Sequence, residues 1–227
     1  MVRSIVLHVL ALAAAAALTC EASAKPKPST PPADPVVITA ADCNSTRLGV
    51  AISPADIGEP VSAVTLNEWT WVPAAGSNPA HCRVTGAMAP IDPAAPNINF
   101  RVVMPSSWTY RYVQLGGGGM NGSIPGLTGG ENGVNYLARG WVAAGSDSGH
   151  QIAAGNEWAL NDESMKNLGY MQMKKTRDAA HVLIRRMYDS KPYFSYWVGT
   201  SQGGREGLTM AKFYPADFDG IASTFRS

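Results

Sequence analysis

The sequence predicts an α/β fold, with a partial, mostly parallel sheet that carries helices on both faces and follows a β-rich N-terminal arm. Three observations predict it. From residue 100 onward, short apolar runs of strand character alternate with helical segments through brief connections, as in parallel strands joined by crossovers. Residues 170–188 repeat at helical spacing. Tyr170, Met173, Ala180, Leu183, Ile184 and Met187 share one broad face, with Lys174, Lys175, Arg177, Asp178 and Arg185 largely elsewhere. Between an aromatic strand and a second helix stands Gly199-Thr200-Ser201-Gln202-Gly203, the signature of a sharp strand-to-helix turn.

The N-terminus reads as an address. Met1-Val2-Arg3 is a short basic start, Ile5 to Leu18 is apolar apart from His8, and Ala22-Ser23-Ala24 offers a small-residue cleavage site. Residues 1–24 are thus expected to be a secretory signal, too short and wrongly flanked for a membrane anchor. Leu18 and Thr19 fit a lipidation signal around Cys20 poorly. Residues 25–40 are expected to form a Pro-rich disordered tether, and 41–227 the N-terminal part of one domain. Signal removal leaves Cys43 and Cys82, an even count that in an exported chain is best read as one disulfide.

In residues 36–99, segments 63–66 and 70–72 alternate like strands between prolines and glycines. Trp69 and Trp71, two apart, read as one strand face packed on the domain rather than a sugar-stacking platform. Residues 100–105 form a strand ended by Pro105, and 111–115 a strand running into Gly116-Gly117-Gly118-Gly119. Residues 140–145 make another, closing in Asp147-Ser148-Gly149-His150. After the helix at 170–188 come the strand 193–198, a helix from Gln202 stopped by Pro215, and a last strand opening at 218–222.

The turn at Ser201 carries the chemistry. Glycines two residues to either side permit a tight bend, which lifts the Ser201 hydroxyl clear of the sheet beside the free N–H groups of a helix start. That is the position of a nucleophile. Its first oxyanion donor is the amide of Gln202, and a second is expected from Gly117 or Gly118 in the glycine run. A phosphate loop would close its glycines with Lys-Ser or Lys-Thr, and Met120-Asn121 follows instead. A net charge of +1 without Lys/Arg runs argues against a nucleic-acid partner.

These segments together resemble the tannase and feruloyl esterase family. The resemblance is carried by Cys82-Arg83-Val84-Thr85-Gly86, Gln114-Leu115 with the four glycines, and Asp147-Ser148-Gly149-His150. Two more segments complete it: Tyr196 to Glu206, with Ser201 at its centre, and Tyr214-Pro215-Ala216-Asp217-Phe218-Asp219-Gly220-Ile221. It implies an α/β-hydrolase fold with a large lid, hydrolysis of aromatic-acid esters, and pairing of Cys43 with Cys82. It also implies substrate contacts at Gly119, His150 and Arg205. A calcium site would lie in the lid, which these residues lack, so no cofactor is expected here. The expected partner is a small aromatic ester, at a secreted or periplasmic location with no membrane attachment after signal cleavage.

Two features depart from the family's pattern. Thr200 stands where a bridged cysteine usually precedes the nucleophile. No histidine follows Ser201, although the acid and histidine of such enzymes come later in the chain. A truncated, nearly inactive piece of a serine esterase is therefore expected, with a non-catalytic aromatic-ligand-binding remnant as the alternative. His150 is read as lining a pocket rather than as a substitute base, and Asp147 as either an acid or a loop cap. His181 is read as a packed core residue, and His81 has no metal-ligand neighbours. Arg205 and Glu206 are either surface polars or an ion pair shaping the pocket floor.

Overall fold

The computed structural model describes residues 30–129 and 133–224; the expected signal, Cys20 and residues 25–29 lie outside them. Among the described residues, ten strands and four α-helices follow one another. They are β1 (Val36–Val37), α1 (Ser45–Leu48), β2 (Ala51–Ile52), β3 (Ala63–Val72), β4 (His81–Ala89), β5 (Ile98–Pro105), β6 (Ser107–Trp108), β7 (Arg111–Leu115) and β8 (Trp141–Ser146). The chain continues with α2 (Asp162–Lys166), α3 (Gln172–Tyr188), β9 (Phe194–Thr200), α4 (Gln202–Phe213) and β10 (Gly220–Thr224). Eight strands form one sheet in the order β10-β9-β7-β8-β5-β4-β3-β2, and β1 pairs with β6 apart from it.

The sheet is mixed rather than mostly parallel. From β8 through β7 and β9 to β10 every pairing is parallel. From β8 through β5, β4 and β3 to β2 every pairing is antiparallel. The N-terminal arm thus supplies three of the main sheet's eight strands, β2 to β4, and does not stand before it. Its two expected short strands merge into β3, with a register shift between Leu66 and Glu68. The bulge explains why the sequence looked interrupted. Val64 and Leu66 face the core before it, and Trp69 and Trp71 after it, so one extra residue switches the inward parity from even to odd. The tryptophans pack on the core as expected. The expected tether also ends earlier, because Val36–Val37 pairs with Ser107–Trp108 and Ile38 is buried. β-branched residues take over there from the Pro-rich run.

Helices were expected on both faces, but among the described residues α3 and α4 lie on the same one. Tyr112 and Trp197 pack there with Met173, Leu183 and Met210. Crossover handedness is the reason. The connections β8-α3-β9 and β9-α4-β10 step the same way along the sheet, and right-handed crossovers then place both helices on one side. The β7-to-β8 connection steps the other way and so crosses the opposite face. There Leu127 and Leu137 cover Val103, Val113, Leu115, Ala143 and Val198.

The helix expected at 170–188 begins as α3 at Gln172, after a π-helical turn at Asn167–Met171 that joins it to α2. Cys43 and Cys82 are bridged across a sequence separation of 39 residues, with Cα atoms 5.5 Å apart. A loop of that length stabilises by about 4 kcal/mol on the chain-entropy account. No helix of the described residues is long and apolar enough to cross a membrane.

Candidate active site

Parallel strands β7, β8 and β9 all run toward the same edge of the sheet, where open α/β sheets carry their chemistry. At the end of β9 the chain bends sharply. Ser201 takes φ 57° and ψ −116°, a conformation a side-chain-bearing residue adopts only when its surroundings enforce it. Two contacts enforce it here. The Ser201 N–H donates to the Thr224 carbonyl of β10 at 2.8 Å. Gly199 lies so close to Gly203 that an added Cβ would sit 2.4 Å from the Gly203 carbonyl group. The Ser201 side chain is exposed and caps no helix amide.

The glycine run meets this bend directly. A Cβ on Gly116 would fall 2.5 Å from the Gly203 Cα, so two segments far apart in sequence touch backbone to backbone. Beneath them lies Glu206, one turn into α4 and fully buried. Its Oε2 accepts the Gly117 N–H at 3.1 Å. Its Oε1 accepts from Gln172 Nε2 at 3.3 Å and, in a short bond, from Asn121 Nδ2. The same Asn121 amide bonds the Ser148 hydroxyl. Burial pushes the Glu206 carboxyl above its ordinary value, against Asn121, Gly117 and Arg205, which pull it down. Gly118 and Gly119 are exposed, and a Cβ on either would meet nothing.

Of the two glycines expected to donate, Gly117 therefore has its amide committed to Glu206. Among the described residues no hydrogen bond engages the Gly118 amide. Arg205 does not pair with Glu206 across a pocket floor. Its guanidinium donates to the carbonyls of Leu168 at 3.0 Å and Gly169 at 3.3 Å, and to Gln202 Oε1 at 3.0 Å. It thus ties α4 to the π-helical turn.

The Asp147–His150 loop is built differently. Asp147 is buried and accepts from Asn99 N–H (3.0 Å), Asn99 Nδ2 (2.7 Å), Gly149 N–H (3.0 Å) and Gln151 Nε2 (2.8 Å). Of its two expected roles, this is the loop cap. Burial raises its pKa against those four donors. His150 is buried and stacked on Trp158, ring centroids 3.8 Å apart, and burial lowers its pKa. It lines a hollow of about 250 Å³ with Pro96, Gln151, Glu157 and Trp158, which neither Ser201 nor the glycine run lines. His181 bonds the Ser195 hydroxyl and packs edge-on against Tyr112, and His81 bonds the Pro79 carbonyl. Among the described residues no three His, Cys, Asp or Glu side chains gather where a metal ion would bind.

Sequence reasoning singled out Ser201 and the glycine run, left Glu206 open, and met Asn121 only as a residue that follows the glycines. The signal for Glu206 was present. Gly203, Glu206, Gly207 and Met210 share helical spacing and are all buried, so Glu206 lies on the inner face of α4.

A sheet with a strained, exposed serine between one of its parallel strands and a helix defines the class, an α/β-hydrolase-type scaffold. Within that class the chain belongs to the tannase and feruloyl esterase family, whose model matches residues 82–225. It is 43% identical over 162 residues to an uncharacterized esterase of Agrobacterium fabrum, covering 66% of this chain and 29% of that protein. It is 31% identical over 163 residues to the mono(2-hydroxyethyl) terephthalate hydrolase of Piscinibacter sakaiensis, covering 66% and 27%. The chain therefore spans less than a third of the length of these curated relatives. Among solved structures, feruloyl esterase B from Aspergillus oryzae superposes with a TM-score of 0.60 at 23% identity, over 80% of this chain and 36% of that one. Tannin acyl hydrolase from Aspergillus niger superposes with a TM-score of 0.58 at 18% identity, over 85% and 37%. At these identities the likeness is one of fold.

Proposed function

We propose that this chain carries the nucleophile half of an exported serine esterase acting on esters of aromatic acids. The observation that carries the reading is Ser201, exposed and held at φ 57° against the glycine run. In this reading Ser201 Oγ attacks the ester carbonyl carbon and gives its proton to a histidine. That histidine and the acid orienting it come from polypeptide outside these 227 residues. The Gln202 and Gly118 amides hold the oxyanion. Collapse of the tetrahedral intermediate expels the alcohol, which takes up the proton, and leaves an acyl-serine. Water then attacks the acyl-serine, releasing the aromatic acid and restoring the hydroxyl.

The aromatic-acid class is supported by what the relatives are named for, a terephthalate monoester in one and ferulate in another. Export is supported by the leader-like N-terminus and by the Cys43–Cys82 bridge. The test is hydrolysis of p-nitrophenyl acetate and methyl ferulate by the full-length polypeptide. Ser201→Ala is expected to cut kcat by about 10⁴-fold or more, and the 227-residue chain alone to lie near that floor. Turnover by the short chain that Ser201→Ala abolishes would place the base within these residues.

A further inference from the structure

The feature the proposed mechanism leaves unused is the fully buried carboxylate of Glu206. Charged groups are rarely buried without partners, and this one takes all of its described hydrogen bonds from other segments. We propose that Glu206 is a positioning residue, which clamps the tetraglycine loop to the nucleophile's own helix and so sets the distance between Ser201 and the second oxyanion amide. The inference rests on the esterase reading.

The geometry behind it is specific. A Cβ on Gly118 or Gly119 would meet nothing within 4 Å, so no side-chain packing shapes the loop there and its form depends on its backbone bonds. The Gly116 N–H finishes the ladder to the Val198 carbonyl at 2.9 Å. The Gly117 N–H goes to Glu206 Oε2 at 3.1 Å. On the far side, the Gly118 carbonyl accepts the Asn121 N–H at 2.8 Å, and the Asn121 side chain returns to Glu206 Oε1. The peptides on either side of the Gly117–Gly118 bond are thus pinned, one by Glu206 and one by a residue that Glu206 holds. The peptide between them is left with its N–H uncommitted. Glu206 and Ser201 are rigidly related through α4, whose N-cap is Ser201 itself. Because glycine-rich backbone is entropically expensive to order, removing the clamp frees the loop and disperses the donor. Ser148, bonded to the same Asn121 amide, extends the clamp to the loop after β8.

The experiment is steady-state kinetics on the full-length polypeptide, comparing wild type with Ser201→Ala, Glu206→Gln, Glu206→Ala and Asn121→Ala. Losing an oxyanion donor outright costs about 10²–10³ in kcat, so a displaced one is expected to cost about 10- to 100-fold. The loss should appear in kcat for both Glu206 variants and for Asn121→Ala. KM, and the inhibition constant of the product acid, should stay within about twofold, because neither ground state carries the oxyanion. Folded Glu206 variants with kcat within about threefold of wild type overturn the proposal. So does a loss confined to KM, or failure of both Glu206 variants to fold, since each marks a merely structural role. Wild-type turnover that survives Ser201→Ala sinks the esterase reading itself, and the clamp with it, and that arm reads independently of Glu206.

Discussion

The elbow after β9 and the loop after β8 each hold a serine in the left-handed region, Ser201 at φ 57° and Ser148 at φ 69°. Both lie at the edge where the parallel strands end, Ser148 directly before Gly149 and Ser201 two residues from Gly199 and Gly203. There the likeness stops. Ser148 is fully buried, its hydroxyl bonded to Asn121, beside an Asp147 satisfied by four donors. Ser201 is exposed, and its side chain caps nothing. Strained backbone therefore does not by itself mark chemistry. Around Ser148 it serves a cap whose hydrogen bonds offset the strain. Around Ser201 the strain is offset by packing elsewhere, and the hydroxyl proposed as the nucleophile is left exposed.

The largest expected effect breaks the elbow. Gly199→Ala places a methyl 2.4 Å from backbone, which has no rotamer to move into. A loss of about 3 kcal/mol or more is expected in urea unfolding. Gly118→Ala, at an open position, is expected to stay within about 0.5 kcal/mol. Equal midpoints for the two would show that the bend is not locked by backbone contact.

The cap is tested next. Asp147→Ala strands the donors of Asn99, Gly149 and Gln151 in a buried place and is expected to cost about 2–3 kcal/mol. Ser201→Gly should move the other way. Glycine adopts φ 57° freely, so relieving the strain is expected to stabilise by about 1 kcal/mol. A destabilised Ser201→Gly would mean that the serine is not strained, and the contrast between the loops would fail.

The same contrast explains what the sequence discloses. Gly199, Gly203 and Gly116 announce themselves because nothing larger fits, so a glycine pattern is a direct record of backbone contact. Glu206 is signalled only by its helical spacing with Gly203, Gly207 and Met210, because its three partners lie 34 to 89 residues away and a charged residue one turn into a helix ordinarily faces water. Asn121 is harder still, since its value lies in a left-handed φ and a side chain aimed at Glu206, neither visible as a spacing. Strands β3, β5, β7, β8, β9 and β10 were legible in position, whereas β1, β2, β4 and β6 were not singled out. The continuity and pairing of the strands were not legible, because a parity switch at a bulge looks like a break, and both strand direction and the face a helix covers depend on the order of strands in space.

The smallest effect separates the two buried carboxyls by pH. Burial raises both Asp147 and Glu206 above their ordinary values, against the hydrogen bonds that favour their charged forms. The folded state then keeps each proton at pH values where the unfolded chain has lost it. Within that window the folded state binds more protons, so stability falls as pH rises. Below the ordinary carboxyl range of about 4 the penalty is absent, and above the raised folded value it is complete and level. Unfolding free energies of wild type minus Glu206→Gln should therefore decline as pH climbs from about 4 and then flatten. Wild type minus Asp147→Asn should decline less, because Asp147 has four donors against three for Glu206 and is slightly less buried. A difference curve that rises with pH would show the donors outweighing burial. Glu206 would then be a stabilised anion, and the elbow side of the sheet edge would be as well satisfied as the cap.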